Sequence, residues 1–330
     1  MSVGSLLRKL LHKNADNVNA AATKYEVIEA GEYTLARCKH MYYQYLFEGS
    51  NDSELNIPQK LVIEVVINSL RKKEQRAHAI PRLPSVIPKL LRSLRDPTSS
   101  AKDYVAIIIK DPVMSAAVLK LANSVYFNPV GAHIDEIDRA VVKLGIQGLR
   151  SVLSAAVMQP IIQRESPYFS QTGQRLWVHS LNCAVACEVI GQSRQLDRYK
   201  VYLLGLVHDI GKITLFSELC KQFKLNETAD APGHSAFAPT MKKISAHLSY
   251  IIACDWDLPE DICVALKQQI GLHQHTELTA YGHLLYQANL ACEMYAVTPK
   301  SHRSKLAPIL TEFKLPKDLW NTLDAVDTQI

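Results

Sequence analysis

The sequence predicts an all-α protein: a multi-helix bundle with an additional helical section at its N-terminus. Apolar residues recur at spacings of three and four along most of the chain, and strict alternation over strand-length windows is scarce. Glycine is low, at 13 in 330 residues, which leaves little material for hairpin turns. Proline and glycine punctuate the periodic stretches.

Residues 1–78 form the first section. The opening "MSVGSLLRKLLHKN" carries Arg8, Lys9 and Lys13 but no long apolar stretch and no small-residue cleavage site, so it does not read as a secretory signal. It predicts an ordinary helix folded onto the body, with a short amphipathic helix touching a membrane or partner as the alternative. "YEVIEAGEYTLARCKHMYYQYLFE" and "IPQKLVIEVVINSLRKK" each carry a helical apolar face, separated by the polar loop "GSNDSELN". The basic run "RKKEQRAH", Arg71 to His78, reads as a solvated helix end, where cations complement the helix dipole, rather than as a nucleic-acid patch.

Residues 79–298 form the main domain, with a short-helix half over 79–163 and a longer-helix half over 172–298. "LPSVIPKLLRSLRDP" predicts a helix that stops at Asp96-Pro97, and Ser99 or Ser100 caps the next one. In "KDPVMSAAVLKLANS", Asp111 caps a helix and Pro112 takes its first position. "IDEIDRAVVKLG" ends at Gly145, a C-terminal cap, and "IQGLRSVLSAAVMQP" restarts and ends at Pro160. The longer-helix half holds most of the histidines. Residues 299–330, broken by Pro299, Pro308 and Pro316, predict a helical tail.

Hydrophobic residues make up 48% and charged residues 21%, the balance of a soluble globular chain. No apolar run approaches the roughly 20 residues that a membrane helix needs, so no span is expected. The seven cysteines are scattered and odd in number, which suits reduced, buried thiols in a cytoplasm. Cys183 and Cys187 share a helix face, but no second cysteine pair completes a zinc site. The formal net charge of +5 permits an anionic partner without demanding one. Phosphate-cradling glycine loops, nucleophile elbows and HExxH helices are missing from the sequence.

The Leu83-Pro84 start, the Lys110-Asp111-Pro112 helix opening, "LKLANSVYF" at Leu119–Phe127 and "AVVKLGIQGLRSVL" at Ala140–Leu153 together resemble the HDOD family. With the longer-helix half, the resemblance covers Ile80 to Tyr295. It implies an all-helical module similar to HD-type metal-dependent phosphohydrolases and associated with bacterial signalling, in which the full metal site is often lost.

An HD-type site takes a His on one helix, a His-Asp pair on another and a later Asp. The metal they hold activates water against a phosphoryl centre. The resemblance assigns the first His to His179, in "LWVHSLNCAVACEVIG", and the pair to His208 and Asp209, in "LLGLVHDIGKI". If the first helix ends near Gly191 and the second begins near Arg198, the two histidines lie roughly 18 and 15 Å from the connecting loop, within one turn of the same level. The dipeptide alone says little; a buried, purely structural pair is its default reading outside the family context.

The fourth position departs from the pattern. "QAN" stands where HD enzymes carry Ala-Asp, so Asn289 replaces the ligand aspartate. The remaining two-His, one-carboxylate trio is expected to hold a divalent metal only weakly, with Mn, Fe, Mg or Ni as the ions of that class. Glu293, one turn on, reads as a surface carboxylate, with a swing into the site as the alternative. Lys212 reads as a solvated lysine, or as a phosphate contact; if the chain is an enzyme, Asp209 and Lys212 are its catalytic pair. Cys183, four residues after His179, reads as a packed thiol, with a Cys-His nucleophile as the alternative. His247 matches a histidine that serves a second metal in some relatives, while Gln268-Gln269 stands where their next His pair sits. His273 and His275 fall slightly later, and no Gly-Tyr-Pro motif of the cyclic-di-GMP phosphodiesterases follows.

The expected function is therefore a cytoplasmic, non-catalytic HDOD regulator with a degenerate metal site, a protein partner in a signalling pathway and room for a nucleotide or phosphoester ligand. A metal-dependent phosphohydrolase is the alternative. Nucleic-acid binding is disfavoured, since only the mild charge and the 71–78 run speak for it.

Overall fold

The computed structural model describes residues 24–327 apart from 30, 32, 49–53, 94–99 and 227–231. The opening basic segment, the Asp96-Pro97 stop and most of the 49–56 loop therefore lie outside the described residues. Fifteen α-helices occur among those described. The first section supplies α1 (Leu35–Leu46), α2 (Ile57–Arg71) and α3 (Lys73–Ala79). The short-helix half supplies α4 (Val86–Ser93), α5 (Ala101–Ile108), α6 (Pro112–Ala122) and α7 (Ile137–Ile162). The longer helices are α8 (Thr172–Ser193), α9 (Arg198–Val207), α10 (Ile210–Leu225), α11 (His234–Asp255), α12 (Glu260–Lys267) and α13 (Ala280–Val297). After a 3-10 turn at Lys300–Leu306, α14 (Ala307–Glu312) and α15 (Leu319–Asp327) close the chain.

Local signals explain several of these ends. Asp111 accepts from the N–H of Val113 at 2.9 Å and of Met114 at 3.2 Å, capping α6 as expected. Ser100 stands before α5, and its N–H donates to Asp103 at 2.9 Å. Asn56 and Gln59 form a reciprocal capping box at the start of α2. Gly145 breaks α7 with φ +61°, and the helix restarts at once and runs two residues past Pro160.

The stretch from Tyr25 to Glu48 departs from the continuous helix its periodicity predicts. Tyr25–Glu26 is a short strand (β1), paired antiparallel with Glu277–Leu278 (β2). The helix begins only at Leu35, where Thr34 accepts from the N–H of Arg37 and Glu29 accepts from the N–H of Leu35. Local caps and a remote strand partner outweigh the helical pattern.

The main core cluster runs from Val27 to Val326, with a small second one of Ala122, Ile134 and Ala140 in the short-helix half. At its centre lies α8, buried nearly all round from Leu176 to Gly191, with α9, α13, α1 and α15 packed against it. Two glycines permit close crossings there. A Cβ on Gly205 would sit 2.4 Å from the Cys183 carbonyl oxygen, so α9 lies directly on the α8 backbone. A Cβ on Gly211 would sit 2.3 Å from the Ser245 carbonyl oxygen, which lets α10 cross α11 in the same way.

The N-terminal helices are part of this body. α1 packs on α13 and α8, and α2 on α10 and α11. Thr172 donates to the Leu46 carbonyl at 2.7 Å and Arg175 to that of Tyr45, so residues of α8 satisfy the C-terminal end of α1. In the basic run, Arg76 is buried and reaches the Leu70 and Arg71 carbonyls and Asp255, whereas Lys72, Lys73 and His78 are exposed. Among the described residues one helix, Ile137–Ile162, is long and apolar enough to cross a membrane, but most of its apolar window is buried inside the protein.

Candidate metal centre

Four helices bring the site together. His179 and Cys183 lie one turn apart on α8, His208 and Asp209 at the junction of α9 and α10, and Asn289 and Glu293 one turn apart on α13. α1 adds Tyr42 and Tyr43. The tight α8–α9 crossing at Gly205 fixes the level of His208 against His179, and the Gly205 carbonyl accepts from His208 Nδ1–H at 2.7 Å. That bond turns Nε2 of His208 inward.

The donor atoms converge. His179 Nε2 and His208 Nε2 lie 3.0 and 3.1 Å from Asn289 Oδ1, and 3.6 and 3.5 Å from Asp209 Oδ2. Cys183 Sγ is 3.6 Å from His179 Nε2. Ligand atoms of His179, Cys183 and His208 all lie within 4.8 Å of one another, and such a group can hold a metal ion. The structure thus brings His179, His208, Asp209 and Asn289 together at one point.

Three sequence expectations need correction. Lys212 is not solvated: it is 4% exposed, and its Nζ lies 2.6 Å from Asp209 Oδ2 and over the rings of Tyr42 and Tyr43, 4.9 and 5.4 Å from their centroids. Glu293 is no surface carboxylate; it is buried and accepts from Asn289 Nδ2 at 3.3 Å. His247 points away from the cavity that its neighbours Ser245, Ala246 and Ser249 line, because helical geometry puts it on the exposed face of α11. His273 and His275 are also exposed, in the loop before β2. Gln268 accepts from the N–H and hydroxyl of Thr279, the residue that caps α13 by accepting from the Gly282 N–H, and Gln269 lines the cavity.

Burial shapes the protonation of the cluster. It pushes His179 down to about 3, so the imidazole stays neutral. Burial alone would raise the Asp209 carboxyl, but His208 and Lys212 beside it hold it below the usual carboxylate range. Burial opposes the charge on Lys212 too, yet Asp209 keeps its ammonium above the ordinary lysine value. Burial raises Glu293, with Lys212 and Lys39 pulling the other way.

A cleft enclosing about 780 Å³ of atom-free space, mouth included, opens beside the cluster. His208, Asp209, Lys212, Asn289 and Glu293 form one side, while Lys39 from α1 and Lys242 from α11 bring further positive charge. His179 and Cys183 sit behind this wall, with the Tyr42 ring 4.6 Å from the His179 ring. The sequence carried no signal for this aromatic cover, nor for Lys39 and Lys242. The i, i+4 spacing of His179 and Cys183 was the one legible hint of the sulfur's place.

The donor set does not fit a hard, oxygen-seeking ion well. Asn289 brings no charge and Asp209 is already neutralised by Lys212. Two imidazole nitrogens and a thiol nearby suit a borderline transition ion better.

The helical bundle and this gathered set of imidazoles, thiol, carboxylate and amide define an all-helical fold with a candidate metal site. More narrowly, the chain belongs to the HDOD family, whose domain profile matches residues 80–271. It is similar to an HDOD domain protein of unknown function from Geobacter sulfurreducens, at 19% identity over 81% of this chain and 99% of that one, with a TM-score of 0.57. A candidate metal-dependent phosphohydrolase from Shewanella amazonensis SB2B shows 18% identity over 81% and 98% of the two chains, TM-score 0.58. These likenesses establish the fold. An uncharacterised protein of Treponema pallidum (strain Nichols) is 23% identical over 220 residues, 65% of this chain; the match spans 42% of that protein's length.

Proposed function

We propose that this chain is a cytoplasmic HDOD regulator in bacterial signal transduction, whose pocket recognises a phosphoester such as a nucleotide without hydrolysing it. Charge balance carries the reading. Activation of water on an HD metal draws on anionic oxygen donors, and here the two oxygens at the focus carry no free charge between them. Asn289 is neutral, and Asp209 is paired at 2.6 Å with the buried ammonium of Lys212. The neighbouring cleft keeps an anion-binding character through Lys39 and Lys242. A protein partner in the pathway belongs to the same proposal. Against nucleic acid as partner, Arg76 of the basic run is turned inward onto Asp255, and the net charge is only +5.

The test is a phosphoester panel with Mn²⁺, Fe²⁺ or Mg²⁺, run beside a nucleotide-binding titration. Saturable binding weakened by Lys242→Ala, with no turnover, is the expected result. Turnover that disappears in His208→Ala would overturn it and establish the hydrolase reading, which the convergence of His179, His208 and Asp209 favours.

A further inference from the structure

The amide at 289 leaves the centre one anionic donor short, and a sulfur stands beside the gap. We propose that Cys183 is a thiolate ligand, completing with His179 and His208 an N₂S site for a tetrahedral, borderline ion of the Zn²⁺ or Co²⁺ type, with an oxygen of Asp209 or Asn289 in the fourth position. The inference goes beyond the regulatory reading and does not depend on it.

Edge lengths support the assignment. Zinc binds nitrogen at about 2.0–2.1 Å and sulfur at about 2.3 Å, so a tetrahedron places N and S about 3.6 Å apart and N and O about 3.4 Å apart. Cys183 Sγ lies 3.6 Å from His179 Nε2. The nitrogen-to-oxygen edges to Asp209, 3.6 and 3.5 Å, lie near that length, whereas those to Asn289 are shorter, at 3.0 and 3.1 Å, and Cys183 Sγ stands 4.0 Å from Asn289 Oδ1, so Asp209 suits the fourth position better. His179 and Cys183, at i and i+4, project from one face of a helix that is buried on every side. Gly205 locks that helix against the one leading to His208, and the lock is at the Cys183 carbonyl itself.

A second observation points to a cation at the same place. Asn289 Nδ2 donates to Glu293, which turns Oδ1 toward the imidazoles. His208 donates its Nδ1–H to the Gly205 carbonyl, and its Nε2 lies 3.1 Å from Asn289 Oδ1. Asn289 Oδ1 thus stands at hydrogen-bond distance from both imidazoles, at the focus of the ligand atoms where a shared cation would sit. Coordination displaces the Cys183 proton to solvent and leaves the sulfur as a metal-bound thiolate, restoring the negative charge missing at 289. The cleft bounded by His208, Asp209 and Asn289 is the entry path. A closed N₂SO set also suits a structural or sensing ion better than a hydrolytic one, which keeps a position open for water.

The full chain, reduced and stripped of metal, is titrated with Co²⁺ and followed by absorption. One equivalent should bind with a thiolate-to-cobalt charge-transfer band in the near ultraviolet. Cys183→Ser should abolish that band and weaken Zn²⁺ binding, measured against a chromophoric chelator, at least about tenfold. Cys187→Ser, one turn along the same helix, should keep both. Binding without the band, a band that survives Cys183→Ser, or no binding of either ion overturns the proposal. If Cys183→Ser does not fold, zinc-edge X-ray absorption on the wild-type protein decides: one sulfur at about 2.3 Å supports the assignment, and a shell of nitrogen and oxygen alone refutes it. None of these readouts involves turnover, so failure here and failure of the non-hydrolytic reading are separate results.

Discussion

Replacing Gly205 by alanine tests how the fold sets the site. An added Cβ would lie 2.4 Å from the Cys183 carbonyl oxygen and 2.7 Å from the Ala184 Cα, closer than real Cβ atoms approach. Both neighbours are backbone, so neither can rotate away, and α9 must move off α8 by at least about 0.6 Å to restore a 3.0 Å contact. Alanine gains about 1 kcal/mol in helix propensity over glycine. Overpacking costs about 1–3 kcal/mol and more where the neighbours are rigid. The balance predicts a net loss of about 1–2 kcal/mol, read as a lower urea midpoint at unchanged slope. The same movement separates His208 from His179 and Cys183 by more than the roughly 0.2 Å a coordination sphere tolerates, so Co²⁺ affinity should fall in parallel. A Gly205→Ala protein as stable as wild type, with undiminished Co²⁺ binding, would show that the crossing does not position the centre.

Further expectations follow from single residues. Lys212→Met leaves Asp209 as a buried, unpaired carboxylate and should cost about 3–5 kcal/mol in urea unfolding; Lys212→Met with Asp209→Asn should recover most of that loss, and no recovery would deny the pairing. Asn289→Asp supplies the missing anionic oxygen and should raise Mn²⁺ affinity at least about tenfold by calorimetry; unchanged affinity would mean that charge at 289 does not limit binding. The Tyr42 hydroxyl is buried without a hydrogen-bond partner, so Tyr42→Phe should be neutral or stabilising by up to about 1 kcal/mol, and a clear destabilisation would count against that environment. Burial, reinforced by Arg194, lowers His283 to about 4. The unfolded chain takes up that proton first, near about 6.5, so this contribution is full above that pH and drains as pH falls toward 4. Thermal melts of His283→Gln should show a shallower acid slope, and an identical slope would assign the loss to other groups.

Much of the architecture was legible because its causes are local. Asp111 with Pro112, Ser100 as one of two candidate caps, and Gly145 each act within one helical turn, and the structure starts or breaks helices at those positions. His179, His208, Asp209 and Asn289 were likewise assignable in the sequence, and they meet at one point. Where a distant part of the chain intervenes, the pattern misleads. The helical periodicity from Tyr25 onward gives way to a strand because β2, some 250 positions later, supplies its hydrogen bonds.

By itself, then, the sequence determined the helical class, several helix starts and breaks, and which side chains to expect around a candidate metal site. All of these depend on spacings of a few residues. Only the tertiary structure decided what those side chains do. It buried Lys212 against Asp209, drew Glu293 beneath Asn289, turned His247 to solvent, and set Cys183 beside His179 under the rings of α1. The reason is that charge and coordination depend on distances between helices, and those distances are set where backbones cross, at Gly205 and Gly211, rather than by the residues along any one helix.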